Sequence, residues 1–416
     1  MSSTVPPDKP SEGPSTGRVE RVADQGFSTA EGGRLENHAN KASTSGPGRA
    51  AKRRDRYATR AISWRATSVK RVAFCGRILR SNATGVGVRV TDAIAGFSGL
   101  QHCGSVWSCA VCSAGILTHR ALEMGSVLAA AVAQGHALGF VTLTMRHGAS
   151  DSLSDLWDAA RDAWARSTQG REWAEQGGAV VGWVRVWEVT TGRNGWHVHV
   201  HFVLVLAPGS TAGDLDRIAG GMFHRWSLGL TAAGQEAPQL VGQDWRIATG
   251  DDASGQLAEY LFKLNDSADE AMALGLELTH SMPGRSRSGH ATLPVWSILE
   301  RFAETGETEV LDRWHEWEQG SKGRQQVGWS RGARDLRAIF APELEVLSDD
   351  EVADREVGTV EDELVQITMP GWKRLVAMPY LLALTLEAAE QGLDALRQHL
   401  DFAGIDHFVT RRPDRC

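Results

Sequence analysis

GWHVHVHFVLVL, residues 195 to 206, alternates three histidines with apolar residues and then runs into an unbroken apolar tail. In an extended chain, residues two apart share a face. The stretch therefore predicts a strand with His197, His199 and His201 on one side, continued by Val203 and Val205. Val198, Val200, Phe202, Leu204 and Leu206 point the other way, into a core. Same-face neighbours on a strand stand about 6.6 Å apart, close enough for two imidazoles to converge on one metal ion. Core histidines with ordinary hydrogen bonds are the plainer alternative, and for one histidine that would suffice. Three in strict alternation favour a site that uses their lone pairs.

The neighbouring segments extend this strand into a fold. AVVGWVRVWEVT (179–190) reads as a second strand, and TGRNG (191–195) as the turn that joins the two into a hairpin. If paired residue numbers sum to an odd value near 387, Glu188 faces the same side as His199 and a His/His/Glu site forms across two strands. The alternative for Glu188 is a surface pair with Arg185 or Arg193. Upstream, GFVTLTM (139–145) reads as a strand, and residues 151–173 as an amphipathic helix capped by Asp151 or Ser152. Downstream come a helix over 211–229, a strand over 244–249 and a helix over 254–266. The order β-α-β-β-α-β-α predicts an α+β fold, a ferredoxin-like antiparallel sheet with helices on one face. A Cys-rich N-terminal module and a helical C-terminal region flank it. Beyond residue 290 the expected packing anchors are Trp296, Trp314, Trp317 and Trp329.

The expected divisions are a disordered polar and basic arm (1–56), a Cys-rich basic module (57–125), the sheet domain (136–290), a helical extension (291–341), and an acidic linker with a helical region (342–416). The net charge of −7 hides an asymmetry. Residues 49–80 hold eleven Lys or Arg against one acid, while residues 343–364 hold ten acids against one Arg. A basic block can bind phosphates or simply be solvated; Arg53, Arg54 and Arg56 are the candidate DNA contacts. No uncharged apolar run reaches about 18 residues, and the first residues lack an apolar signal core. No membrane span is expected, and the expected location is the cytoplasm.

Cys103, Cys109 and Cys112 form C-x5-C-x2-C, with Cys75 upstream. In a cytoplasmic chain such a cluster points to a structural Zn²⁺ rather than to disulfides, with buried free thiols as the alternative. The tyrosines are Tyr57, Tyr260 and Tyr380. Tyr260 and Lys263 lie three apart and share a helix face, where an ammonium favours the phenolate. A phenol beside a divalent metal is a nucleophile for a phosphodiester.

FVTLTMRH (140–147), GWHVHVHFVL and LAEYLFK (257–263) stand in the order of three motifs, and together they resemble the rolling-circle replication initiators of the HUH endonuclease superfamily. CGSVWSCAVCSAGI and GRQQVGWSRGARDLR resemble plasmid Rep proteins of high-GC Gram-positive bacteria. The resemblance implies nicking of one strand of plasmid origin DNA, met as duplex and as single strand. It makes Tyr260 the nucleophile, which becomes linked to the DNA 5′ end. His199 and His201 become ligands of Mn²⁺ or Mg²⁺, Glu188 the third ligand, and Lys263 the group that orients the phenol or neutralises phosphate. His197 and His147 are additional candidates. Some relatives carry a carboxylate one turn before the tyrosine; here that position is Gln256, which leaves termination open. No phosphate-binding GxxxxGK[ST] occurs, so a host helicase is implied, as is a host DNA polymerase. The oligomeric state stays open. The alternatives are a relaxase of the same superfamily, disfavoured by the tyrosine's place after the histidines, a transposase, the two-tyrosine kind of which is set apart by the single motif tyrosine, and a non-catalytic origin-binding regulator with a structural metal.

Overall fold

Two sheets organise the computed structural model, which describes residues 47–250 and 293–410. The smaller begins with β1 (Val86–Thr91) and β2 (Ile94–Ser98). The larger is built from β3 (Ala137–Thr144), β4 (Val180–Gly192), β5 (Gly195–Leu206) and β6 (Asp244–Ala248), with short edge strands β7 (Leu293–Pro294) and β8 (Val327–Trp329). β9 (Glu363–Ile367) and β10 (His407–Val409) return to the smaller sheet. The large sheet runs β6-β3-β5-β4-β7, with β8 also on β4. Its pairings are antiparallel. The order of its four main strands is that of the ferredoxin-like α+β fold that the sequence predicts.

The flanking helices are α1 (Pro47–Ala66), α2 (Ala110–Ala133), α3 (Leu153–Ser167), α4 (Ala212–Ala232), α5 (Trp296–Thr305), α6 (Thr308–Ser321), α7 (Leu336–Phe340), α8 (Asp349–Asp354), α9 (Met369–Ala377), α10 (Tyr380–Glu390) and α11 (Leu393–Phe402). The Ser152 hydroxyl caps α3, accepting from the Asp155 amide. A Thr211/Asp214 capping box starts α4. The expected helix over 254–266 lies outside the described residues.

Val198, Val200, Phe202, Leu204 and Leu206 are all buried, and they share one cluster with Trp157 and Trp164 of α3 and Trp226 of α4. Each such side chain contributes about 1.5–3 kcal/mol by leaving water. The anchors Trp296, Trp314 and Trp317 join this cluster from α5 and α6. The opposite face is covered too, but only at one end. There Leu138, Phe140, Val203 and Val205 pack with Met124, Val127 and Leu128 of α2 and Leu336 and Phe340 of α7. By length and composition α2 is apolar enough to cross a bilayer. In this fold it is a core helix, with Arg120 paired to the buried Glu123 at 2.8 Å.

Two expectations along the chain are corrected. The arm expected to be unstructured through residue 56 is already helical from Pro47, in α1; residues 1–46 lie outside the described residues. The region expected after 342 as an acidic linker and a helical part does carry helices α9, α10 and α11, but in place of a linker its β9 and β10 complete the small sheet. Its order is β10-β9-β1-β2, with Val88 opposite Val365. Val86, Val88, Phe97, Val365 and Ile367 share a core with Tyr57 of α1 and with Trp372, Leu382 and Leu400 of the C-terminal helices. The apolar face of the β1–β2 hairpin therefore finds its cover some 270 residues away.

Charge follows the same route. Arg71 meets Asp350 at 2.7 Å, Arg89 meets Glu356 at 2.8 Å and Arg120 meets Asp349 at 2.7 Å. Arg80 also pairs with Glu356, and Arg53 with Glu390. The basic and acidic segments that cancel in the total charge thus meet in space. The exposed Arg71–Asp350 pair contributes only about 0–1 kcal/mol; the others are largely buried, where desolvation offsets much of the attraction, so their effect is mainly to set register between segments.

Trp372 joins the two halves of the small unit: its ring meets Phe97 edge-on at 5.1 Å and its Nε1–H donates to Arg77 O at 2.9 Å. Trp372→Ala should destabilise this unit by about 3–5 kcal/mol in denaturant unfolding. A loss below about 1 kcal/mol would mean that the C-terminal segment is not folded on the N-terminal hairpin.

Candidate functional site

The β4–β5 hairpin closes over two residues, Arg193 and Asn194, with Gly192 opposite Gly195. Gly195 has φ +85°, and a Cβ there would come within 2.8 Å of Gly148 O. This closure pairs Glu188 with His199 and Val186 with His201, the register that puts the carboxylate on the histidine face. Glu188 Oε2 accepts from His199 Nε2 at 2.9 Å and from His201 Nε2 at 2.8 Å. Neither Arg185 nor Arg193 forms an ion pair with it among the described residues; its partners are the two imidazoles.

One ligand atom from each of Glu188, His199 and His201 lies within 4.8 Å of the others, so the three can hold one metal ion. Their side chains are 30 %, 11 % and 20 % exposed, leaving the cluster partly open. Burial pushes the Glu188 carboxyl up, but the charge and hydrogen bonds of His199 and His201 outweigh it and hold the group well below the usual carboxylate range. From β3, Thr142 Oγ1 stands 2.9 Å from His201 Nδ1. A hydroxyl can donate or accept, so Thr142 can hold this ring with its Nε2 lone pair free for a cation. Strand pairing brings Thr142 there, opposite His201. Its place in the Thr-rich first motif was the only sequence signal for it.

His197 and His147 extend the cluster into a row of rings. His147 stacks on His197 at 4.9 Å, His197 lies 4.9 Å from His199, and His199 meets His201 edge-on at 4.7 Å. His147 Nδ1–H donates to Asn194 O at 2.8 Å, which ties the row to the hairpin turn. These two rings stand beside the three-residue donor group rather than within it. Tyr260 and Lys263 lie outside the described residues, as does Gln256.

The four cysteines form the second group able to hold a metal. Cys75, Cys103, Cys109 and Cys112 are all buried and free, with their sulfurs within 4.8 Å of one another. Cys75 Sγ stands 3.6 Å from Cys109 Sγ and 3.5 Å from Cys112 Sγ, and Cys103 Sγ is 3.7 Å from Cys112 Sγ. A tetrahedral ion with bonds of about 2.3 Å to sulfur has S···S edges of about 3.8 Å, so the spacing of these free thiols fits metal. Hydrogen bonds from the other three thiols hold Cys109 well below the usual thiol range. Arg60, 2 % exposed, lies against Gly76 with Nε and Nη2 unpartnered, and three of these thiols act on its charge. A four-thiolate site with a divalent ion is doubly negative, and Arg60 offsets part of that. Sequence reading did not single Arg60 out from the basic stretch.

The candidate DNA contacts fare differently. Arg53 is 6 % exposed and paired with Glu390, and Arg54 Nε donates to Glu387 Oε1 at 2.8 Å. Both fasten α1 to α10. Arg56 is likewise not free.

The protein is thus an α+β chain with a ferredoxin-like sheet that carries a His/His/Glu donor set on its central hairpin, beside a buried four-cysteine group. Residues 100–213 match the family described as replication protein. That segment contains three of the four clustered cysteines and the whole His/His/Glu group, and ends before Tyr260. The chain is 29% identical to "Protein rep" of Streptomyces lividans, over 74% of this chain and 80% of that protein. It is 34% identical to "Neomycin resistance protein" of Streptomyces cyanogenus, over 28% of this chain and 32% of that one. No solved structure matches. The resemblance to replication initiators drawn from the motifs therefore stands.

Burial, with the neighbouring His199 and His147, lowers His197 from 6.5 to about 3. The unfolded chain takes up this proton as pH falls through 6.5 and the folded chain refuses it until about 3. Stability is therefore full above 6.5 and falls as pH drops toward 3. In chelator-treated protein, His197→Gln should flatten this acid limb in urea titrations. Parallel curves for the two proteins would show that His197 is protonated in the fold.

Proposed function

We propose that this protein initiates plasmid replication by nicking one strand of the origin, with Tyr260 as nucleophile and Glu188, His199 and His201 holding a divalent cation. The observation that carries the reading is the convergence of those three donors on the partly open end of the central hairpin. A mixed imidazole and carboxylate set suits Mn²⁺ or Mg²⁺ with coordination positions left for substrate. Bound there, such an ion supplies Lewis-acid polarisation of a phosphoryl oxygen.

The chain's own groups carry the rest. The Tyr260 hydroxyl, deprotonated, attacks phosphorus; an O–P bond to the phenol forms and the bond to the 3′ oxygen breaks. That oxygen takes up a proton and leaves as the 3′-OH that primes synthesis by a host polymerase, while the 5′ phosphate stays on the tyrosine. Lys263, three residues on in sequence, favours the phenolate and neutralises phosphate. Thr142 and the ring row of His197 and His147 hold the ligand imidazoles in place. Tyr260 lies twelve positions beyond Ala248, the end of β6; twelve extended steps span at most about 40 Å, which bounds the reach of its hydroxyl. Tyr57 is a poor alternative, since it is buried in the small core under Arg60 at 4.4 Å. Tyr380 is 64% exposed on α10 and is the control.

The structural ion we assign to the four cysteines is Zn²⁺. It ties the segment after α1 to the start of α2 and so to the large sheet. The reaction belongs in the cytoplasm, where a host helicase would separate the strands.

Mass spectrometry of the protein after incubation with Mn²⁺ and a single-stranded origin oligonucleotide should find the adduct on Tyr260. Tyr260→Phe should form none while still binding DNA, and His199→Ala should lose more than about 100-fold in cleavage together with the catalytic ion. An adduct persisting in Tyr260→Phe, or mapped to Tyr380, would overturn the assignment. Separately, native mass spectrometry should find zinc retained by the purified chain, and Cys109→Ser should lose it with a clear fall in Tm. Retention of zinc by that variant would place the ion elsewhere.

A further inference from the structure

The outer edge of the large sheet, where β8 pairs with β4, borders a cavity of about 1200 Å³. One wall is the Cys103–Ser108 loop, another the end of α3, and a third the segment 322–334. Its cations are seated in an unusual way. The Arg185 guanidinium lies over the rings of Trp187 at 5.1 Å and Trp164 at 5.9 Å, and Arg334 lies over Trp173 at 5.5 Å. Arg185 Nε and Nη1 and Arg334 Nη1 are buried without a hydrogen-bond partner, and among the described residues neither side chain has a carboxylate partner. Arg331, which is exposed, lines the same cavity, and its charge adds to the burial that lowers Arg185 to about 10.

The acids lining the cavity are already committed. Asp349 pairs with Arg120 and Asp350 with Arg71, Glu318 accepts from Thr67 and Ser68, and Glu351 caps α8. Aromatic faces hold a guanidinium in place without neutralising it, and desolvated donors left unpaired are costly. An anion from outside resolves both conditions. The cavity is far larger than one phosphate requires and runs along an edge, so its ligand is extended.

We infer that this edge is a second DNA-binding surface, in which Arg185, Arg331 and Arg334 grip the phosphodiester backbone of origin DNA. Arg185 has opposite parity on β4 to Glu188, so it projects from the other face of the strand. The phosphates it holds are therefore not the one cut at the His/His/Glu cluster. The surface positions the origin while the cluster performs the chemistry. It takes DNA as the polyanion from the proposed function and depends on no assignment of the nucleophile.

The test is fluorescence anisotropy of the full zinc-loaded chain carrying Tyr260→Phe, so that binding is read without cleavage. The probes are labelled origin DNA, single-stranded and duplex, titrated across salt. The triple variant R185Q/R331Q/R334Q should bind at least one of the two forms more than about 10-fold more weakly, with its salt slope reduced by roughly two to three. R301Q, which removes an exposed charge of α5 outside the cavity, is the control for net charge and should bind as its parent does. R331Q alone, at an exposed position, should show a slope reduced by about one, and it keeps the test valid if the triple variant unfolds. Unchanged affinity and slope for R331Q and a folded triple variant would overturn the surface. An adduct on Tyr380 would instead overturn the nucleophile and leave the groove standing.

Discussion

Glu188 reaches the imidazoles only because the hairpin turns over two residues. With Gly192 opposite Gly195, every even residue of β4 from Val184 faces an odd residue of β5. A slip of one residue between the strands would carry Glu188 to the face where Trp187 and Phe202 are packed, burying an ionised carboxylate among indoles and parting it from the histidines. Both penalties act against the same error, so the apolar core of one face enforces the chemistry of the other. Gly195 is part of this constraint, since its φ of +85° and the approach of Gly148 O leave no room for a side chain. The same approach brings the segment after β3, and with it His147, onto the row of rings.

A second constraint comes from charge. A chain with a net charge of −7 and a basic stretch near its start could offer that stretch to DNA as a mobile arm. From Pro47 onward the stretch is instead a helix and a hairpin clasped by the acidic segment and the C-terminal helices. Arg53, Arg54, Arg71, Arg80 and Arg89 are all engaged by carboxylates. Phosphates would have to displace those partners, an exchange of one anion for another with little net gain. Cations seated on tryptophan rings face no such competition, and this is the physical difference between the two sets of arginines.

The large sheet was legible because its signals are local. Alternation over β5, the TGRNG turn, Ser152 as a cap, and the spacing of Trp157 and Trp164 each act within a few residues. The facing of Glu188 and His199 followed from parity alone. The smaller sheet was not legible. Val86, Val88 and Val90 alternate over too short a run to announce a strand, and the strand that covers β1 begins at Glu363, too distant for any periodicity to link them. The acidic stretch read as a linker because composition registers charge and not the basic partner that neutralises it. In the candidate site, the residues able to coordinate were legible by type, whereas those set beside them were not. Thr142 and Arg60 matter through what strand pairing and helix packing set beside them, and neither stands out in the sequence.

β4 shows how one strand can serve two roles at once. Successive residues of a strand face opposite sides, so Glu188 lies on the histidine face while Arg185, three positions earlier, presents a cation to the other side. Three residues of strand correspond to only about 10 Å along the sheet. Any movement of β4 relative to β5 would disturb the cation and the ligand together. That movement is opposed on one side by the continuous β5 ladder and on the other by β8, whose Gly328 lies opposite Arg185 with its backbone close against the guanidinium. A side chain at Gly328 would push that guanidinium off its rings, since a Cβ there would stand 2.9 Å from the Arg185 Cζ. The edge strand thus packs against the guanidinium, and Arg185 and Glu188 are carried by one strand held between two ladders.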